Sequence, residues 1–175
     1  MRLDCRSVRL IEKALAWRTR RRLLPPVFNR VLIVCTGNIC RSPMAEALLT
    51  HRLRDHGAQA VVESAGISAL VGYPADPLAQ QLMANRGFDL SSHRARQLTP
   101  EMVRSFELVL VMDAGQQRAV ESLDPSVRGR VHRIGRVGKF DVPDPYRRGP
   151  EAFEEAFTLI ERGIGELENT LWSNA

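Results

Sequence analysis

Residues 30–42 read Arg-Val-Leu-Ile-Val-Cys-Thr-Gly-Asn-Ile-Cys-Arg-Ser. The first six form a continuous apolar, largely β-branched run, which suits a strand covered on both faces in a parallel sheet. A short loop follows. From 42 to 56 the pattern is helical, with Met44, Ala45, Leu48, Leu49 and Leu53 at helical spacing. Ser42 is the expected N-cap, Pro43 fits the first turn, and Gly57 ends the helix.

Outward from this stretch the alternation repeats. The sequence predicts strands at 60–63, 107–112 and 130–134, and helices at 77–85 (stopped by Gly87) and 114–123. A Pro- and Asp-rich loop at 141–150 leads into a last helix from 151 to about 171. In that helix Phe153, Ala156, Phe157, Ile160 and Ile164 recur at core spacing. Alternating strand and helix predicts a three-layer α/β fold: a four-stranded parallel sheet with helices on both faces. Ligands in such sheets sit at the carboxyl ends of the strands, and the first strand ends at Cys35.

The composition narrows the function. The chain has 175 residues and a net charge of +5. Seven Arg, one Lys and two acids lie in residues 1–26, leaving residues 27–175 at −1. The basic character therefore belongs to the N-terminal segment, and a near-neutral body argues against a dedicated nucleic-acid module. No apolar run approaches the roughly 20 residues needed to cross a bilayer. Three cysteines (Cys5, Cys35 and Cys40) make a poor disulfide framework and fit reduced thiols in the cytoplasm. Segment 1–26 lacks the apolar stretch and cleavage site of a secretory signal.

Cys35 and Arg41 enclose five residues, Thr36, Gly37, Asn38, Ile39 and Cys40, between a buried strand and a helix start. The bare spacing is weak, and it also fits a structural cysteine beside a surface arginine. Its context points to phosphate. Gly37 and Asn38 tolerate left-handed backbone angles, which turn successive N–H groups inward as an anion nest. The helix beginning near Ser42 adds free N–H groups and the positive end of its dipole. Arg41 can grip two phosphate oxygens with its planar fork. The same features favour Cys35 as a thiolate nucleophile, with Ser42 placed to donate its hydroxyl to the sulfur.

Expelling a phenolate also requires an acid. Asp144, in Val142-Pro143-Asp144-Pro145-Tyr146, is held extended by the flanking prolines, in a loop at the sheet's carboxyl edge. Asp141 and Asp113 compete for this role. Asp141 lacks the rigid setting, and Asp113 reads mainly as a helix cap. His93 reads as a hydrogen-bonded structural residue, and His51, His56 and His132 show no metal-ligand spacing.

The segments VLIVCTGNICRSPMAEALL (31–49) and FDVPDPY (140–146) resemble the phosphate loop and acid loop of the low-molecular-weight protein tyrosine phosphatases. SAG at 64–66, SSHRARQLT at 91–99 and LVLVMD at 108–113 also fit, so the resemblance covers about residues 27–172. It implies a cysteinyl-phosphate mechanism with Cys35 as nucleophile, Arg41 as phosphate and transition-state binder, and Asp144 as acid and then base. Residues 36–42 would bind phosphate, Tyr146 would flank the substrate cleft, and no metal or organic cofactor is implied. Cys40 matches a second loop cysteine that in relatives pairs reversibly with the nucleophile. RQLT and PDPYRRG look most like bacterial members tied to exopolysaccharide or capsule machinery. This implies a phosphotyrosine protein substrate, in particular a membrane-bound tyrosine autokinase. The family begins near Val27, so residues 1–26 are expected to be an unstructured extension or a start placed too early, with the phosphatase domain at 27–175.

Two rivals remain at this point. An arsenate reductase of the same fold would relay oxidising equivalents to later cysteines, and none follows Cys40. A non-catalytic phosphotyrosine-binding module would be expected to lose the nucleophile or the acid, and both are present.

Overall fold

A computed structural model of the chain describes residues 28–168, so the expectation for 1–26 lies outside the described residues. Strands β1 (Arg30–Cys35), β2 (Val61–Gly66), β3 (Leu108–Val111) and β4 (Val131–Arg133) form one sheet in the order β2-β1-β3-β4. Every pairing is parallel. Helices α1 (Arg41–Asp55), α2 (Pro77–Ala84), α3 (Pro100–Ser105), α4 (Ala114–Leu123) and α5 (Pro150–Leu167) connect and cover it, with a short 3₁₀ turn at Pro125–Val127.

The alternation of β1 divides the core in two. Val31, Ile33 and Cys35 pack with Met44, Leu48 and Leu49 of α1, Met83 of α2, and Phe153, Phe157 and Ile160 of α5. Leu32 and Val34 face the other way, onto Val103 of α3, Phe106 and Val120 of α4. All four of Val31, Leu32, Ile33 and Val34 are fully buried, which explains why the strand is apolar throughout rather than alternating. The expected three layers are thus present.

Several boundaries differ from expectation, each for a local reason. β2 runs on through Ser64, Ala65 and Gly66, small residues with little strand propensity, because they pair in register with Ile33, Val34 and Cys35. β3 and β4 are each shorter than expected by a residue at both ends. Helix α3 was not expected from the sequence; Thr99 caps it by accepting from the Met102 N–H, and Pro100 opens it. Six residues are too few to show a helical period, although the Thr-Pro pair is a start signal. Ser42 is not an N-cap. Helix α1 starts at Arg41 behind Cys40, with no side-chain cap. Its far end closes as expected: Gly57, at φ 70°, donates to Arg54 O while Ala58 donates to Leu53 O, a Schellman closure.

Two glycines of α5 make opposite predictions. A Cβ on Gly163 would lie 2.5 Å from Ile134 Cγ2 and 2.8 Å from its carbonyl oxygen, whereas one on Gly165 would meet only the end of Arg52, at 3.3 Å. Helix propensity alone favours alanine at both by up to about 1 kcal/mol. At Gly163 the backbone clash reverses the sign, and Gly163→Ala is expected to destabilise by about 1–3 kcal/mol. Gly165→Ala should be neutral or mildly stabilising. Urea unfolding of the two variants checks this; equal midpoints would contradict the close packing of α5 on the end of β4.

Candidate active site

The carboxyl end of β1 lies where the chain order reverses across the sheet, with β2 on one side and β3 on the other. Residues 36–40 turn back there into α1. Four consecutive carbonyls in this turn point away from it. Thr36 O accepts from Ser68 N, Gly37 O from Leu70 N, Asn38 O from His93 Nε2 and Ile39 O from Asp76 N, at 2.7–3.1 Å. A trans peptide holds its N–H opposite its carbonyl, so the N–H groups of residues 37–40 face inward. That of Asn38 is 3.3 Å from Cys35 Sγ. The loop is an anion nest with the cysteine at its base.

Asn38 alone takes the left-handed conformation in this loop, at φ 55°. The expectation that Gly37 would share it is corrected. Asn38 is fully buried, and its side chain is used completely. Oδ1 accepts from the Arg96 N–H at 2.9 Å, and Nδ2 donates to Ser42 Oγ at 2.9 Å and to Ser64 Oγ at 2.8 Å. These contacts fix the hydroxyl protons. The Glu46 carboxylate only accepts, so Ser64 donates to it, at 2.5 Å. Ser42 accepts from Asn38, and toward a thiolate at Cys35, which only accepts, its hydroxyl is the donor, at 2.9 Å. The sulfur thus faces one hydroxyl and one amide donor, an arrangement suited to a thiolate.

Cys40 has the opposite character. Burial first, then the charges of Asp76, Cys35 and Asp144, push its thiol well above the usual range, against the lowering effect of Arg41. It remains an S–H, and both loop cysteines are free.

Arg41 is 3% exposed and belongs to three attachments. Nη2 donates to Asp144 Oδ2 at 2.7 Å, Nη1 donates to the Val142 carbonyl at 3.1 Å, and Asp113 Oδ2 lies 3.6 Å from Nη1. Its Nε is buried without a hydrogen-bond partner. Arg41 also lines a cleft, so its guanidinium has an unmet N–H on a side chain that an oxyanion seated there would contact. Val142 anchors the acid loop from both sides, since its N–H donates to Met112 O at the end of β3.

A cleft of about 210 Å³ joins these groups, lined by Cys35, Thr36, Gly37, Ile39, Cys40, Arg41, Ser68, Leu70, Asp144 and Tyr146. Tyr146 is 41% exposed at its mouth. Asp144 is on the cleft, whereas Asp141 points elsewhere, into an ion pair with Arg133 at 2.6 Å. Asp113 caps α4 by accepting from the Gln116 N–H, as expected, and also faces Arg41. His93 has the supporting place read for it.

Sequence reasoning missed Glu46, Ser64 and Arg96 as supports of the loop, and Ser68 and Leu70 as cleft walls. Ser64 belongs to the SAG motif, but nothing local says that its hydroxyl meets Asn38 across 26 positions.

Comparisons with known proteins converge. Residues 30–175 match the family model for low molecular weight phosphotyrosine protein phosphatase. The chain is 51% identical over 138 residues to the probable low molecular weight protein-tyrosine-phosphatase EpsP of Ralstonia nicotianae, covering 79% of this chain and 92% of that one. Vibrio vulnificus Wzb, solved in complex with benzylphosphonate, superposes with a TM-score of 0.77 at 37% identity, over 82% of this chain and 99% of that one. The YwlE arginine phosphatase of Geobacillus stearothermophilus superposes with a TM-score of 0.75 at 30% identity, over 83% and 94%.

The loop's dependence on Asn38 separates into conformation and bonding. Asn38→Gly keeps the left-handed angle but removes three side-chain hydrogen bonds, and is expected to cost about 2–3 kcal/mol. Asn38→Ala should cost about 1 kcal/mol more, from backbone strain. Both should weaken inorganic phosphate binding in calorimetric titration. Wild-type affinity in both variants would show that Asn38 does not hold the nest.

Proposed function

The chain belongs to the low-molecular-weight protein tyrosine phosphatase family, and on that premise we propose that Cys35, Arg41 and Asp144 carry the hydrolysis of protein phosphotyrosine. Cys35 Sγ attacks phosphorus from the base of the nest, the phosphorus–phenol oxygen bond breaks, and Asp144 in its acid form gives its proton to the departing oxygen. The phosphoryl group then rests on sulfur. Water, deprotonated by Asp144, attacks the phosphorus, and the sulfur leaves as a thiolate that the Ser42 hydroxyl stabilises. Arg41 and the inward N–H groups of residues 37–40 hold the phosphoryl oxygens in both steps, where charge accumulates.

One observation carries this reading: an inward-turned amide nest surrounds the sulfur, and a buried, unpartnered Arg41 Nε shares the cleft with it. A non-catalytic binder has no use for a hydroxyl aimed at a cysteine sulfur. An arsenate reductase of this fold would relay oxidising equivalents to later cysteines, and none follows Cys40 in the sequence.

The fold also serves an arginine phosphatase, so the fold does not choose the leaving group. The cleft does. Ile39, Leu70 and Tyr146 give it apolar walls suited to a flat aromatic ring, and among the described residues no carboxylate other than Asp144 lines it to receive a guanidinium. Benzylphosphonate, held by the Vibrio relative, has the same ring-plus-phosphonate form.

The phosphatase domain is proposed to run from residue 27. Following its bacterial relatives, the substrate is proposed to be a membrane-bound tyrosine autokinase of exopolysaccharide synthesis or export, met in the cytoplasm. Among the described residues no helix is long and apolar enough to cross a membrane. Steady dephosphorylation of such a kinase by the purified protein supports this assignment, and activity confined to small aryl phosphates speaks against it.

Asp144→Ala is expected to lower kcat by about 10²–10³ for phenyl phosphate, and far less for nitrophenyl phosphate, whose leaving group needs little protonation. A uniform loss across leaving groups would remove Asp144 from the role of acid. Cys35→Ser should abolish turnover. Iodoacetate near neutral pH should label Cys35 and spare Cys40, with phosphate protecting; an unreactive Cys35 would end the thiolate mechanism.

A further inference from the structure

The mouth of the cleft is unusual in what it exposes. Of the seven large hydrophobic residues exposed among the described residues, Leu70 and Tyr146 line the cleft, and Val71 and Tyr73 follow Leu70 in the same loop. Beyond Tyr146 the character changes from apolar to basic. Arg147 and Arg148 are both exposed. The guanidinium of Arg147 stacks over the Tyr146 ring, 5.1 Å from its centroid.

Other cations near the site are committed. Arg41 is paired with Asp144, Arg133 with Asp141 and Arg96 with Glu63. The acids of the 141–150 loop are thereby used up, and among the described residues no carboxylate lies within 4.0 Å of Arg147 or Arg148. Arg147 also holds a left-handed backbone angle, φ 59°, which a residue with a long side chain does not favour by itself. Outliers of this kind gather at binding sites, where the surroundings impose them.

We propose that Arg147 and Arg148 form a subsite for an anionic group flanking the phosphotyrosine, while Val71 and Tyr73 receive an apolar residue on its other side. The inference rests on the phosphatase reading and specifies its substrate: an extended segment bearing a carboxylate, or a second phosphate, within a few residues of the target tyrosine. The ring of the target lies against Tyr146, so a neighbouring side chain reaches the guanidinium stacked above it. The body of the protein is near neutral, and this local positive rim is therefore a feature of the site rather than of the whole surface.

The test compares three phosphotyrosine peptides with glutamate, phosphotyrosine or alanine at the flanking positions, with phenyl phosphate as reference. The wild type is expected to favour the glutamate peptide over the alanine peptide by about fivefold in kcat/KM at low salt, as exposed ion pairs allow. The diphosphorylated peptide should gain at least as much, and its margin over glutamate shows which anion is preferred. Raising the salt should erode both preferences. In the Arg147→Glu/Arg148→Glu protein both preferences should vanish or invert while phenyl phosphate turnover stays at the wild-type rate. Val71→Ser/Tyr73→Ser should lower peptide kcat/KM with no change toward phenyl phosphate. A wild type without preference, or a charge-reversed protein that keeps it, overturns this inference and leaves the phosphatase reading standing. Failure to hydrolyse even phenyl phosphate overturns both.

Discussion

A single residue held in an uncommon backbone conformation organises the catalytic end of this protein. Asn38 has φ 55°, and the turn it makes is what allows four successive carbonyls to face out and the intervening N–H groups to face in. The conformation is disfavoured for any residue with a Cβ, least so for Asn. It persists because the surroundings over-determine it. Its carbonyl accepts from His93, its side-chain oxygen from the Arg96 amide, and its two amide protons go to Ser42 and Ser64. At about 1 kcal/mol for each satisfied bond, the set outweighs the backbone cost of about 1–2 kcal/mol. The network also does chemistry. The acceptor-only carboxylate of Glu46, behind Ser64, is the far end of a chain of oriented donors that finishes with the Ser42 proton at the sulfur of Cys35.

The fold makes this possible by bringing distant segments to one point. β1 ends between β2 and β3, and the segments after β2, around 64–76 and 93–96, form the back wall of the cradle. Cys35 O accepts from Ile67, and Gly66 bonds to Arg96 and Leu98, so backbone contacts back up the buried side-chain network. Gly66 has to be glycine here, because a Cβ would lie 2.6 Å from Thr36 O. The acid loop is attached separately, through Val142, to the end of β3 and to Arg41. The proposed nucleophile therefore ends one strand, and the proposed acid sits in a loop tied to the end of the neighbouring strand, which limits how far the two can drift apart.

Much of this architecture is legible in the amino-acid sequence alone. The strand-loop-helix at 30–56 declares itself because a fully buried strand and an amphipathic helix have distinct patterns, and both flank one reactive cysteine. The proposed acid stands out because prolines on either side of Asp144 mark a stiff loop, while Asp141 and Asp113 lack that setting. Failures arise where the cause is non-local. Ser42 looks like a helix cap, but its hydroxyl is claimed by a sulfur and an amide, so the helix begins one residue earlier without a cap. β2 outruns its propensity because β1 imposes its register on Ser64, Ala65 and Gly66. Ser64, Glu46 and Arg96 could not be read as loop supports, since their meaning is set by what folds against them.

The Arg41–Asp144 contact gives the site an order of events. The proposed acid and the proposed phosphate clamp are paired, 2.7 Å apart. An ionised Asp144 there is half-exposed, so the pair is worth no more than about 1 kcal/mol. A phosphoryl dianion entering the nest offers Arg41 charge-assisted bonds in a fork geometry, roughly twice as strong as neutral ones, and also satisfies the buried Nε that Asp144 leaves unpartnered. In the proposed reaction the substrate thus takes the arginine from the aspartate. The Asp144 carboxyl is thereby released toward the leaving oxygen, while Val142, still bonded to Met112, keeps its backbone at the mouth of the cleft.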